Sequence, residues 1–485
     1  MALPAAILAV AAVLGGAILA VAAVLGGAGG AMGPANALAS AVPAQPAAGD
    51  ADGAGSLAAD QGAFVPGELL VRFRGAQAER EYELPAGIGV RAAARALERN
   101  DEIRWAVPNY VARAAAPGWI PNDRGEKGSP PGGWQELQWN FRPCGSACGE
   151  DPGAALESIG GIDAPGAWEN LIEAGRPGGR GVKVAVVDTG VAHRDRGRRF
   201  RRSPDLRGGQ FATGHDFVEN DDAPLDENGH GTHVASTIGE RTDNGKFVTG
   251  LAYGAKLIPI RVLDQRGEGG SADVARGVRW AHKHGADVIN LSLEFSRSVD
   301  GCDDVPSVCA AIERAHAKGA VVVSVAGNGN LFGSSTTAFP GRAPHAIAAG
   351  ATTIRSCLAD YSNFGRGLDI TAPGGGFDAT DAGSQCEPTA GNPGIVQLTL
   401  TKTGSGKFRR FGYPNYEGTS MASAHVTGAA ALVWAALRAG LGRAPTPDEV
   451  EARLEGTARR EGALGDVNLY GAGLLDVAAA TEPAP

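Results

Sequence analysis

Four short apolar runs mark the chain between residues 180 and 330: 182–188, 256–263, 287–293 and 320–326. Each is rich in Val, Ile or Leu and lacks polar alternation, the pattern of strands buried on both faces. Between and beside them, residues 230–240, 271–284 and 305–318 carry helical spacing. Strand and helix in repeated alternation predict an α/β fold with a mostly parallel central sheet and helices on both faces. Further on, 419–438 reads as a long core helix and 446–458 as a charged amphipathic one.

Upstream the texture changes. Residues 64–73 alternate as a strand, Gly89–Asn100 has helical spacing, and Ile103–Val111 reads as a second strand. Together they outline a small α+β element over 63–112, ahead of a main domain at 161–480 and a short tail at 481–485. Residues 42–62 are rich in Ala, Gly, Pro and Asp and read as a linker, and 113–160 as a Pro/Gly-rich junction and the start of the mature chain. The first 41 residues are dominated by apolar Ala, Val, Leu, Ile and Gly. The segment Ala6–Gly16 is repeated without mismatch at Ala17–Gly27, giving an apolar run of about 25 residues, enough to span a bilayer. Ala-x-Ala sites follow at Ala35–Ala37, Ala37–Ala39 and Ala39–Ala41. The segment is a cleaved signal peptide or a retained membrane anchor, and either places the rest of the chain outside the cytoplasm.

The net charge of −9 argues against nucleic acid as a general partner. One basic stretch, Arg194–Arg202, holds six arginines in nine residues and reads as a solvated insertion or an interaction patch. Cys144, Cys148, Cys302, Cys309, Cys357 and Cys386 contain no Cys-x-x-Cys pair. Disulfides of an exported protein are the better account than zinc, and neighbour pairing is the simplest of the connectivities.

Three polar residues stand where such folds place chemistry. Asp188 ends the 182–188 run, at the carboxyl edge of a predicted parallel sheet. His230 follows a glycine and opens a small-residue helix. Ser420, in Gly418-Thr-Ser-Met-Ala, sits at a helix start, where the helix dipole favours negative charge. A serine alone is a weak nucleophile; a histidine base held by a carboxylate makes it an acyl-transfer residue. Alone, each has an ordinary explanation as a cap or turn residue. Their conjunction sets them apart. His233 and His425 lie in the same motifs but read as packed helix residues, and no His-Glu-x-x-His spacing supports zinc.

The order Asp188, His230, Ser420, with Val-Asp-Thr-Gly, Asn-Gly-His-Gly-Thr-His and Gly-Thr-Ser-Met-Ala around them, resembles the subtilisin-like serine proteases, or subtilases. The resemblance implies a secreted serine endopeptidase acting on polypeptides through an acyl-enzyme on Ser420, with His230 as base and acid and Asp188 orienting it. It makes Asn328 the side-chain donor of an oxyanion hole. It places substrate between two strand edges, Gly267-Glu268-Gly269 and Ser292-Leu293-Glu294, with Ser324, Val325, Ala326 and Gly327 walling the primary specificity pocket and Ala338 near its base. Small apolar walls imply a medium hydrophobic residue there. Glu294 replaces the family's usual glycine, and with Glu268 either selects basic side chains or points to solvent. Ala424 stands where the family often has proline, a change that preserves the helix.

Val65-Pro-Gly-Glu and Val107-Pro-Asn-Tyr resemble the ends of a compact subtilase pro-domain, an inhibitor and folding aid, with processing expected between about Ala114 and Asp123. Catalysis of this kind needs no cofactor. The loop at 242–248 matches a family calcium site, with Asn244 and the remote Asp205 as oxygen ligands. Expected partners are polypeptide substrates and the chain's own pro-domain, with a membrane only if the apolar N-terminus is kept, and the enzyme is expected to be a monomer. A periplasmic location, an anchored processing protease preferring basic residues, and a non-catalytic peptide-binding module are the alternatives.

Overall fold

The computed structural model describes residues 64–76, 78–84, 89–110, 119–143, 159–330, 335–380, 386–389, 391–401, 403–460 and 462–483. The apolar N-terminal run, the linker at 42–62 and the Cys144 and Cys148 pair lie outside them. The chain divides into two compact units, Met1–Ala116 and Pro117–Pro485.

In the smaller unit, β1 (Phe64–Phe73) pairs antiparallel with β2 (Arg80–Glu83) and β3 (Ile103–Tyr110), in the order β2-β1-β3. The Val90–Glu98 helix supplies Val90, Ala93 and Ala94 to a core with Leu69, Val71, Ile103 and Ala106. The alternation of β1 turns Leu69 and Val71 to the same side. β2 reads Arg-Glu-Tyr-Glu, with no apolar run to announce it; its charges suit an edge strand, where they oppose further pairing.

The larger unit is built on a seven-stranded sheet in the order β10-β9-β8-β7-β4-β6-β5, every pair parallel. The four strands read from apolar runs are β4 (Lys183–Asp188), β6 (Lys256–Arg261), β7 (Val288–Leu291) and β8 (Val321–Val325). Three more complete the sheet: β5 (His215–Asp216), β9 (Ala346–Thr352) and β10 (Ile370–Pro373). The chain passes from β6 on one side of β4 to β7 on the other. This makes the carboxyl ends of β4 and β7 a topological switch point, where sheets of this kind open a crevice.

The two faces of β4 bury different neighbours. Val184 and Val186 join a core formed with the helices Ala164–Glu173, His230–Gly239, Thr419–Leu441 and Pro447–Gly456. Ala185 and Val187 face the helices Ser271–Lys283 and Pro306–Ala317. The Thr419–Leu441 helix is apolar and long, and most of it is buried against the sheet. A protein core therefore accounts for its composition.

The stretch expected to be a junction contributes to the larger unit's core. Trp134, Trp139 and Phe141 are buried there, and the Trp134 indole N–H donates to the Pro121 carbonyl at 3.0 Å. Disulfides join Cys302 to Cys309 and Cys357 to Cys386, the neighbour pairing. The second closes a loop of 29 residues, worth about 3–4 kcal/mol on chain-entropy grounds. The arginine-rich segment lies mostly at the surface, where Arg196 pairs with Asp221 (3.0 Å) and Arg199 with Glu227 (2.7 Å).

Candidate active site

Asp188 ends β4 with its side chain fully buried, and His230 opens the His230–Gly239 helix directly opposite. The His230 Nδ1 lies 2.8 and 3.0 Å from the two Asp188 carboxylate oxygens. Asp188 also accepts the Thr189 N–H at 2.7 Å. Gly231 permits the approach: a Cβ there would lie 2.2 Å from the Gly190 carbonyl oxygen. Burial works to lower the His230 pKa, but the charge and hydrogen bond of Asp188 outweigh it and hold the imidazolium form above its ordinary range.

A second carboxylate, absent from the sequence-based site, ties these segments together. Asp226 is fully buried and accepts five hydrogen bonds, from Thr189 Oγ1, the Asn228, Gly229 and Thr232 amides, and Thr232 Oγ1. It thereby locks the turn after Asp188 to the turn before His230. Burial still raises its pKa, because five neutral donors do not replace water entirely. Asx-turn spacing from Asp226 to Asn228 is the local signal that could have found it.

Ser420 lies in the first turn of the Thr419–Leu441 helix. Its hydroxyl donates to the Ser292 carbonyl oxygen at 3.4 Å, while His230 and Ser420 line the same cleft. Catalytic hydrogen bonds of free enzymes often tighten only when substrate binds. The Asn328 Oδ1 accepts from both the Thr419 N–H (2.9 Å) and the Thr419 hydroxyl (3.0 Å). The amide N–H can only donate, so the atom facing it is oxygen. This fixes the Asn328 amide and leaves its Nδ2 donor turned away from Thr419. Gly418, just before, is held by the Tyr361 hydroxyl at 2.9 Å.

The cleft, of about 510 Å³, brings His230, Asn328 and Ser420 together with Gly267, Glu268, Gly269, Ser292, Leu293 and Glu294. Ser292 turns its hydroxyl away from substrate space: it donates to the Ser420 carbonyl (3.0 Å) and meets Ser423 Oγ at 2.8 Å, bracing the helix against the sheet. An adjoining cleft of about 450 Å³ shares Glu294 and Asn328 and adds Ala338, Phe339 and Arg342. Ser324, Val325, Ala326 and Gly327 are buried behind these walls, with Ser324 Oγ bonded to the Leu291 carbonyl at 3.1 Å.

The two acidic candidates differ. Glu268 is 70% exposed and pairs with Arg266 at 3.2 Å. Glu294 is also an exposed residue, but its carboxylate folds back to accept the Asn328 N–H at 3.2 Å and lies against Gly327, where a Cβ would meet its Oε2 at 2.5 Å. Partial loss of hydration raises its pKa, against the lowering by that N–H and by Arg297. His233 and His425 are packed as expected. His233 Nε2 meets the Ile395 carbonyl at 3.0 Å, and burial lowers its pKa to about 3. His425 meets Asn140 at 2.7 Å and the Met421 carbonyl at 2.8 Å.

Asp205 and Asn244 come together at the far end of the His230–Gly239 helix. The Asn244 Nδ2 donates to Asp205 Oδ1 at 2.8 Å, leaving Asn244 Oδ1 and Asp205 Oδ2 buried without hydrogen-bond partners. Two acids not anticipated from sequence join them. Asp123 is buried and accepts the Asp243 (2.7 Å) and Asn244 (3.0 Å) amides, shaping the loop. Glu240 caps the helix, fully buried. Burial pushes the Asp205 carboxyl up to about 8, and burial with the charges of Asp205 and Asp123 raises Glu240 well above the carboxylate range. The donor set is all oxygen, and orphaned buried oxygens of this kind fit a hard cation such as Ca²⁺.

A histidine gripped by a buried carboxylate, beside a serine at a helix start and at the carboxyl edge of a parallel sheet, defines a serine protease site on an α/β fold. The chain belongs to the subtilase family, whose model matches residues 179–473. It is 31% identical over 400 residues to a thermophilic serine proteinase of Bacillus sp. (strain AK1), covering 77% of this chain and 79% of that protein. It is 36% identical over 310 residues to Subtilisin BL of Lederbergia lenta, covering 63% of this chain and 92% of that protein. Among solved structures it resembles a protease of Pseudoalteromonas arctica, with 29% identity, a TM-score of 0.56, and coverage of 75% of this chain and 99% of that one. It is a subtilisin-type serine endopeptidase.

Proposed function

We propose that Ser420 is the nucleophile, His230 its general base and then acid, Asp188 the group that orients the imidazole, and Asn328 the side-chain donor to the oxyanion. The carrying observation is the pairing of His230 Nδ1 with both Asp188 oxygens in the cleft that Ser420 and Asn328 also line. The Ser420 hydroxyl attacks the scissile carbonyl as His230 Nε2 takes its proton. The Asn328 Nδ2, turned away from Thr419, and the Ser420 backbone N–H receive the oxyanion. His230 then protonates the leaving amine, and water releases the acyl group by the reverse transfers. Labelling the folded protein with a fluorophosphonate, with Ser420→Ala as control, tests this. Labelling at Ser420 alone is expected, and a folded wild type that resists the reagent would leave only a peptide-binding cleft.

The enzyme is a secreted protein made as a precursor, with 63–112 as its pro-domain. Exposed glycines at Gly267 and Gly269 let a substrate strand add to the cleft edge. The Glu294 carboxylate, held at the cleft by the Asn328 N–H, favours Lys or Arg on the acyl side of the scissile bond, whereas Glu268 is occupied by Arg266. Profiling a peptide library checks this; absence of Lys or Arg enrichment at any subsite would end it. Asp205 and Asn244 hold a structural Ca²⁺, which supplies positive charge to buried oxygens and takes no part in bond cleavage. A melting temperature unmoved by chelator would count against it.

A further inference from the structure

The arginine-rich segment takes no part in the catalytic site, and it is built rather than loose. Phe200 near its end stacks on Phe408, with ring centroids 5.2 Å apart. The backbones zip together there: the Phe408 N–H donates to the Arg199 carbonyl at 2.8 Å, and the Arg201 N–H to the Phe408 carbonyl at 2.9 Å. Arg409 Nη1 reaches the Arg198 carbonyl at 3.2 Å. Ala192, Leu400 and Phe408 form a small core at this joint. The joint merges two basic runs into one patch: Arg198, Arg201 and Arg202 beside Lys407, Arg409 and Arg410, all six exposed. Arg196 and Arg199 are paired with Asp221 and Glu227. Among the described residues the six have no carboxylate partner, and Asp195, the one acid within the segment, accepts the Arg202 N–H at 2.8 Å. Crowded cations repel one another, and an anionic partner offsets that cost.

We infer that this patch is an exosite, which holds an acidic segment of the polypeptide substrate outside the cleft where the bond is cut. None of the six residues lines that cleft, yet the patch is fastened to the turn that carries His230. Arg199 pairs at 2.7 Å with Glu227, just ahead of His230 in the chain. The strand Thr399–Leu400, which pairs with Phe411–Gly412 around the second basic run, lies against Gly229, where a Cβ would meet the Leu400 carbonyl oxygen at 3.1 Å. The chemistry favours peptide carboxylates over other polyanions. Five of the six cations are arginines, whose planar forks match a carboxylate with two hydrogen bonds. The rings of the patch are turned inward: Phe408 is 3% exposed and Phe200 is half-buried against it. That leaves no ring to stack on a base and no apolar side chain to enter a bilayer. The net charge of −9 repels an acidic chain from the rest of the surface, so the patch decides where it settles. Contacts this remote from the scissile bond hold substrate and transition state alike, and therefore act through KM rather than kcat.

The test is steady-state cleavage of paired peptides that share a scissile sequence and differ in a flanking run, glutamate in one and glutamine in the other. One pair carries the run on the leaving-group side and a second pair on the acyl side. In at least one pair the kcat/KM ratio of glutamate to glutamine peptide should exceed one at low salt. It should fall about tenfold, through KM, in Arg198→Gln/Arg201→Gln/Arg409→Gln, and shrink as NaCl passes about 0.1 M, where charges are screened beyond about 10 Å. Removing as many exposed charges elsewhere, in Lys283→Gln/Arg314→Gln/Lys318→Gln, should leave the ratio near that of the parent. An equal fall there would assign the effect to net charge and overturn the exosite. A parent ratio of one in both pairs, or a ratio unmoved by the first variant, would overturn it as well. Binding of phosphatidylglycerol vesicles that the first variant loses, with the ratio at one, would give the patch to a lipid surface instead. Should the first variant fail to fold, Lys407→Gln/Arg410→Gln in the second run should lower the ratio in the same way, and no change there refutes the inference.

Discussion

The two ends of the His230–Gly239 helix each bury a carboxylate, and the two are treated in opposite ways. At the N-terminal end Asp226 accepts five hydrogen bonds and Asp188 is shared between His230 and the Thr189 amide. At the C-terminal end both oxygens of Glu240 have none. A satisfied buried carboxylate is a fixed part of the scaffold: it holds loops in register and sets the charge felt by its neighbour. An unsatisfied one is a strained part of it, relieved when the carboxyl takes up a proton. Burial alone therefore does not say whether an acid braces the scaffold or strains it; the hydrogen-bond inventory does.

Substitutions can break this comparison at either end. The largest effect is expected at Asp188. Asp188→Asn should lower kcat about 10⁴-fold, because the imidazole loses the anion that fixes its tautomer. The pH profile should move with it. In the wild type the His230 pKa is raised, so activity is lost as pH falls through that raised value and the base takes up a proton. Removing the Asp188 charge should carry the acidic limb of kcat/KM to lower pH. A limb that stays in place would show that another group governs it. Next comes Asn328→Ala, expected to cost about 100- to 1000-fold in kcat with little change in KM, read from steady-state kinetics on one peptide.

The sharpest contrast is in stability. Asp226→Asn places an amide N–H₂ among donors, so it should cost on the order of 3 kcal/mol in denaturant titrations, with or without calcium. Glu240→Gln should behave differently, equal to or more stable than the wild type, because it removes a buried carboxyl that no hydrogen bond compensates. A loss as large as that of Asp226→Asn would erase the distinction drawn between the two ends. The smallest effect is at the cleft rim. Glu294→Gln should reduce any preference for Lys or Arg several-fold in kcat/KM while hydrophobic substrates change little, a ratio that one competitive assay can measure.

Much of the central sheet was legible because strands buried on both faces need continuous apolar residues, as in Val184–Val187 and Val321–Val323. β9 was not, since Ala-Ile-Ala-Ala-Gly-Ala-Thr carries weak strand preference and is held by its neighbours β8 and β10. β5, only two residues long, exists because β6 offers it an edge. That Trp134 and Trp139 of the 113–160 stretch enter the core was not legible, because their neighbours carry no strand or helix periodicity.

Asp188, His230, Asn328 and Ser420 could be named from sequence because each sits in a short motif whose neighbours build its local backbone: a strand end, a glycine-led helix start, a tight turn. The reaction class followed from those residue types and their order. The fates of chemically alike acids could not be read that way. Glu268 turns to Arg266 while Glu294 folds over Gly327, and Asp123 and Asp205 reach Asn244 only when segments 121 and 39 residues away pack against its loop. A carboxylate's role depends on the donors and charges within a few ångströms of it. Sequence spacing fixes those neighbours within a turn or a helix, and elsewhere they are set by the tertiary fold.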